Sequence, residues 1–167
     1  TPFIAWFPGK IAKGVKQGTG HVIDLAPTFY DLVGAVYPKE YEGHKANALP
    51  GKSLLQVLFQ NQDTVRRQEG LFWERAGNRA ARIGKWKLVS SWPSYKWELY
   101  DLAQDPTERN DVAGQHHDVV SHLSTAYFQW AKENGVVDFA ELEAKEPKSM
   151  KDFRESKVQE IPVPRNF

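Results

Sequence analysis

The chain has 167 residues, 41% hydrophobic and 26% charged, with 22 Lys and Arg against 21 Asp and Glu and a formal charge of +1. This composition excludes a disordered polar tail and suits one packed domain, two at most. The near-neutral balance lacks the electrostatic footprint of a nucleic-acid binder, and no apolar run approaches the ~18–20 residues that span a bilayer.

Nothing at the N-terminus reads as a signal peptide. Cysteine is absent, which removes disulfides, thiolate metal sites and cysteine nucleophiles. Aromatic content is high, 13% with six Trp. The first element, Thr1-Pro-Phe-Ile-Ala-Trp-Phe-Pro-Gly9, is an apolar run closed by a Pro-Gly turn. It reads as a strand buried on both faces, which needs covering layers. The chain offers little cover at that end, so the sequence is expected to be the C-terminal part of something longer. Lys10 to Gly20 is a Gly- and Lys-rich loop. Asp24 to Gly34 reads as a helix, with Asp24 as cap, Pro27 in the first turn and Gly34 as stop. Leu25, Phe29, Leu32 and Val33 line one face of it. Residues 35–52 form a long loop, and Ser53 to Gln60 is a short helix or turn.

The period then changes. Gly70–Arg75, Arg79–Ser90 and Lys96–Leu102 are strand-like, with hairpin turns at Gly77-Asn78 and Ile83-Gly84-Lys85 and a connection over Ser91–Tyr95. Such short loops imply antiparallel neighbours. From His116 to Asn134 the period returns to 3.6, placing Val119, Val120, Leu123, Tyr127, Trp130 and Ala131 on one face, with Gly135 as the stop. The expected fold is α/β, α+β for this piece: a small antiparallel sheet packed against a long amphipathic helix. Domain bounds are expected at 1–65, 66–140 and an extended tail, 141–167.

Three spacings invite chemistry and fall short of it. Pro50-Gly-Lys-Ser53 ends like a phosphate loop, but Ala46 stands where the motif needs Gly. His116, His117 and His122 lack the i, i+4 spacing of a helical metal pair. Trp73, Trp86, Trp97 and Trp130 read as sheet–helix core, with a sugar-stacking platform as the alternative and Trp92 open.

In series, five segments resemble the sulfatase family, arylsulfatases of the alkaline-phosphatase-like superfamily, in its C-terminal third. They are Pro2–Gly9, Asp24-Leu-Ala-Pro-Thr28, Leu49-Pro-Gly-Lys-Ser53, Gly77–Leu88 and Trp97–Glu108. The resemblance implies a parent enzyme that hydrolyses sulfate esters with a formylglycine nucleophile and a calcium ion held by Asp and Asn. It also implies that these parts lie before residue 1, in a missing N-terminal sulfatase domain that is the partner of this piece. The one near-match to the nucleophile motif, Ser91-Trp-Pro-Ser-Tyr95, has Tyr where the family has Arg. No catalytic or metal residue is therefore assigned here, and the piece alone is expected to be inactive. A periplasmic or secreted compartment agrees with the resemblance.

His21, Asn78 and Arg79 are the candidates for the substrate-pocket rim, as hydrogen-bonding side chains at loop or strand ends. Loop capping for His21, turn chemistry for Asn78 and an ion pair for Arg79 are the plainer alternatives. For the piece as a whole, the rival readings are a stand-alone carbohydrate-binding module and a purely structural one.

Overall fold

The computed structural model describes residues 2–16, 18–60, 62–63, 65, 67 and 69–145. The chain divides into two compact units, residues 1–66 and 67–167.

In the first unit the expected opening strand is not formed: residues 2–7 have no regular structure. A strand requires a neighbour for its alternate N–H and C=O groups, and the described residues supply none here. Its side chains are left outside, Ile4 86% and Trp6 83% exposed. Phe7 has a ring neighbour, edge-on to Phe59 at 6.4 Å. A short 3-10 turn over Val22–Asp24 leads into α1, Leu25–Val33, which Gly34 ends at φ +67. In that left-handed conformation, accessible to Gly, the following N–H of Ala35 folds back 2.9 Å from the Tyr30 carbonyl. The long loop carries a two-residue hairpin, β1 Glu40–Tyr41 and β2 His44–Lys45, before α2, Leu55–Phe59.

Among the described residues α1 is packed on its polar side, and most of the apolar face read from the sequence is left exposed. Phe29, Leu32 and Val33 are exposed, Val33 by 73%. Buried instead are Asp24 and Thr28. The Asp24 carboxylate accepts from the His21 N–H at 2.8 Å and the Lys52 N–H at 2.9 Å. The Thr28 hydroxyl donates to the Asp24 carbonyl and accepts from the Leu54 N–H at 2.8 Å. Between these two anchors Gly51 passes so close that a Cβ there would sit 1.9 Å from the Ile23 carbonyl oxygen. Two of the resembling segments, 24–28 and 49–53, are thus the halves of one clasp.

The second unit is the antiparallel sheet and helix that the change of period predicts. Strands β3 Leu71–Arg75, β4 Asn78–Ile83, β5 Trp86–Ser90 and β6 Trp97–Asp101 pair in chain order. The first turn is Ala76-Gly77, both at positive φ as a two-residue hairpin requires, so Asn78 opens β4 rather than closing the turn. Residues 91–96, with a cis bond before Pro93, join β5 to β6. Beyond β6, the Asp111 carboxylate accepts from the Leu99 N–H at 3.0 Å and the Val112 N–H donates to the Leu99 carbonyl at 2.9 Å.

Helix α3, His117–Glu133, is about 25 Å long at 1.5 Å per residue and lies on one sheet face. The register aligns Phe72, Ala81, Leu88 and Leu99 in a row across the four strands. Leu123, Tyr127 and Ala131 close over that row, with Trp86, Trp97 and Trp130 packed around it. Trp73 departs from the expected core, because period 2 turns it to the opposite face. There it shares a cleft with Arg82, Lys87 and Glu108. Trp92 meets Tyr95 and Phe139 edge-on, at 5.4 and 5.5 Å. A final helix, α4, covers Phe139–Lys145, so residues 141–145 are helical where an extended tail is expected; the rest of that tail, 146–167, lies outside the described residues.

Candidate functional site

Each rim candidate has a local engagement. His21 caps the turn before α1, its Nδ1 accepting from the Ile23 N–H at 3.3 Å while its own N–H donates to Asp24. Asn78 sits at the head of β4, where its side-chain amide donates to the Arg75 carbonyl at 3.0 Å. Its Oδ1 accepts from the Trp92 N–H at 3.2 Å, which ties the first hairpin to the 91–96 connection. Arg79 follows and points to the other side of the sheet, as alternation demands. Its guanidinium lies 3.9 Å over the Tyr95 ring, 5.7 Å from the Phe128 ring, and donates to Asp138 at 3.1 Å. Asn78 and Arg79 thus share one end of the sheet on opposite faces, while His21 belongs to the first unit.

Around Arg79 the structure collects residues that sequence reasoning missed. The register sets Glu74, Arg79, Ser90 and Trp97 side by side on the face turned to α3. Tyr127 of α3 packs edge-on to Trp97 at 5.8 Å. Burial pushes the Tyr127 hydroxyl pKa up, with the Arg79 charge opposing and Glu74, Tyr95 and Asp138 adding to the rise. The signal for this grouping was the strand alternation, but its use required the cross-strand register. Asp138 had no signal: it comes from the segment leading into α4, 59 residues away in sequence.

On the opposite face Tyr100 donates to Glu98 at 3.0 Å; burial, then the Glu98 hydrogen bond, pushes its pKa up to about 12.

Among the described residues, no group of three or more His, Asp or Glu is placed to hold a metal ion. The His116 ring packs on Trp86 at 4.8 Å. Pro50-Gly-Lys-Ser53 gives the Lys52 N–H to Asp24, and Ser91-Trp-Pro-Ser-Tyr95 is a turn closed by the Tyr95 N–H on the Ser91 carbonyl at 2.9 Å.

The family model for the C-terminal part of N-sulphoglucosamine sulphohydrolase matches residues 1–134. The chain belongs to that family. Among curated proteins, this sulfatase C-terminal chain is similar to an uncharacterized sulfatase of Schizosaccharomyces pombe, 28% identical over 120 residues. That match takes in 70% of this chain and 22% of the relative. It is also similar to the N-acetylgalactosamine-6-O-sulfatase of Bacteroides thetaiotaomicron, 28% identical over 138 residues, 74% of this chain and 25% of that one. The chain therefore spans about a quarter of the length of the curated relatives it matches. Of solved structures, Ps i-CgsB shares the fold at a TM-score of 0.52 and 23% identity over 65% of this chain and 23% of its own. A 2-O GAG sulfatase does so at 0.50 and 22%, over 68% and 25%. The expected fold class, a sulfatase C-terminal sheet-and-helix piece, holds.

Proposed function

We propose that this chain is the C-terminal part of an arylsulfatase-type sulfuric ester hydrolase, and that it walls the substrate pocket without supplying the nucleophile or the metal. The observation that carries this reading is the family match over residues 1–134 with coverage of only a quarter of the sulfatase relatives. Residues 1–65 then belong to the large catalytic domain, and residues 66–140 are the smaller sheet-and-helix subdomain. The exposed Phe3, Ile4, Trp6, Phe29, Leu32 and Val33 support that division, since an apolar surface of this kind suits burial against a catalytic sheet. Calcium and formylglycine come with the remainder of the enzyme. The substrate is a sulfated sugar, a reading supported by the amino-sugar sulfates in the names of the matching family and of the Bacteroides relative.

His21, Asn78 and Arg79 stand at the pocket rim. Arg79 has the chemistry to read a sulfate or carboxylate, but its partner Asp138 must yield for it to do so. The test measures release of a chromogenic phenol from its sulfate ester with calcium present. The 167-residue chain alone gives no turnover; joined to a sulfatase catalytic domain it does, and Asn78→Ala or Arg79→Ala then raises KM more than it lowers kcat. Turnover by the chain alone refutes the reading, and its loss in Ser91→Ala would name Ser91 as the nucleophile.

A further inference from the structure

Three hydroxyls in the second unit are buried with no hydrogen-bond partner among the described residues: those of Ser90, Tyr95 and Tyr127. Ser90 and Tyr127 are 2% and 1% exposed. The three residues share Arg79 and Trp97 as neighbours. Ser90 lies in register between Arg79 and Trp97 on the face turned to α3. Tyr127 packs on Trp97 from above, and the Tyr95 ring lies under the Arg79 guanidinium. A hydroxyl that bonds to water in the unfolded chain and to nothing in the folded one is destabilising. Three around the same neighbours, each with one donor and two lone pairs, call for a shared guest.

The surroundings select its chemistry. Asp138, bonded to Arg79, offsets its charge, and Glu74 beside it in the register adds a further negative one. That field disfavours an anion, and among the described residues no group of three or more His, Asp or Glu is placed to hold a metal cation. A small neutral molecule with both donors and acceptors fits. We propose that Ser90, Tyr95 and Tyr127 bind a buried water molecule between the sheet and α3. Buried waters of this type make about three hydrogen bonds to groups otherwise unsatisfied.

A crystal structure of the full chain, at a resolution that shows ordered solvent, tests this directly. The expected result is a solvent peak within about 2.6–3.2 Å of at least two of the three oxygens. Absence of that peak, or direct bonding of the hydroxyls to one another, overturns the proposal. Denaturant unfolding of Ser90→Ala, Tyr127→Phe and the double variant gives a second readout, with near-isosteric changes that keep the fold. Each single change should lower the folding constant about 3- to 10-fold, and the double should cost less than the product, because the first already loosens the water. A Tyr127→Phe protein as stable as the parent or more so, with multiplicative effects in the double, means a dry site and refutes the proposal.

Discussion

Gly51→Ala tests the clasp in the first unit most sharply. The new Cβ would lie 1.9 Å from the Ile23 carbonyl oxygen, 2.4 Å from its carbon and 2.8 Å from the Asp24 nitrogen. All three are backbone atoms, so no side chain can swing away. The 51–54 segment must retreat, and in doing so it lengthens the Lys52 N–H to Asp24 bond and the Leu54 N–H to Thr28 bond, now 2.9 and 2.8 Å. The first, to a carboxylate, is worth about 1.5–3 kcal/mol and the second about 0.5–1.5 kcal/mol. The expected loss is about 2–4 kcal/mol. Because the damage is local, the assay is amide hydrogen exchange at Lys52 and Leu54, where protection should fall by about 30- to 1,000-fold, at 1.4 kcal/mol per factor of ten. Gly14→Ala is the control: no atom lies within 4 Å of its added Cβ and its φ is not positive. It should move stability by less than about 0.5 kcal/mol. Unchanged protection in Gly51→Ala would show that the clasp carries no energy and refute the reasoning.

Asn78→Ala should cost about 1–2 kcal/mol in urea unfolding, since it removes both the bond to the Arg75 carbonyl and the acceptor for the Trp92 N–H; a loss below about 0.3 kcal/mol would deny it that bracing role. Tyr100 should titrate at about 12 by ultraviolet absorbance. Its folded pKa lies above the ordinary 10, so its contribution is complete below pH 10 and is lost as pH rises toward 12; a midpoint at 10 would contradict its burial. Asp105 and Asp111 run the other way: backbone N–H groups, of Asn110 and Ala113 foremost, hold their carboxyls below the usual 3.8. Stability present above pH 4 should therefore fall as pH drops below it, and Asp105→Asn should flatten that acid limb of the pH–stability curve.

The second unit was legible because its signals are local. Alternation over 71–101 and the 3.6 period over 117–133 each specify an element, and short loops leave the strands one order. The first unit was not. Its helix bounds follow from Asp24 and Gly34, but burial there depends on which partner segment meets α1, and 49–54 arrives with hydrogen-bond donors rather than side chains. An apolar count along α1 therefore marks its exposed face and misses the polar side that 49–54 meets. Residues 2–7 show the same limit, since apolar composition marks a segment suited to a sheet and cannot supply the neighbouring strand. At the candidate site the residue types were readable and the partners were not: Asp138 reaches Arg79 from 59 positions away.

The far side of β6 has a consequence for behaviour at high concentration. An outermost strand ordinarily presents a row of free N–H and C=O groups to any other chain. At Leu99, the centre of β6, both groups are already occupied, by the Asp111 carboxylate and the Val112 amide. A short irregular segment that imitates a neighbouring strand for one residue pair, and adds a negative charge beside it, stops further strands from adding there. Strand addition at β6 is opposed at its midpoint, and Asp111→Ala would free the Leu99 N–H while the Val112 amide still holds the carbonyl.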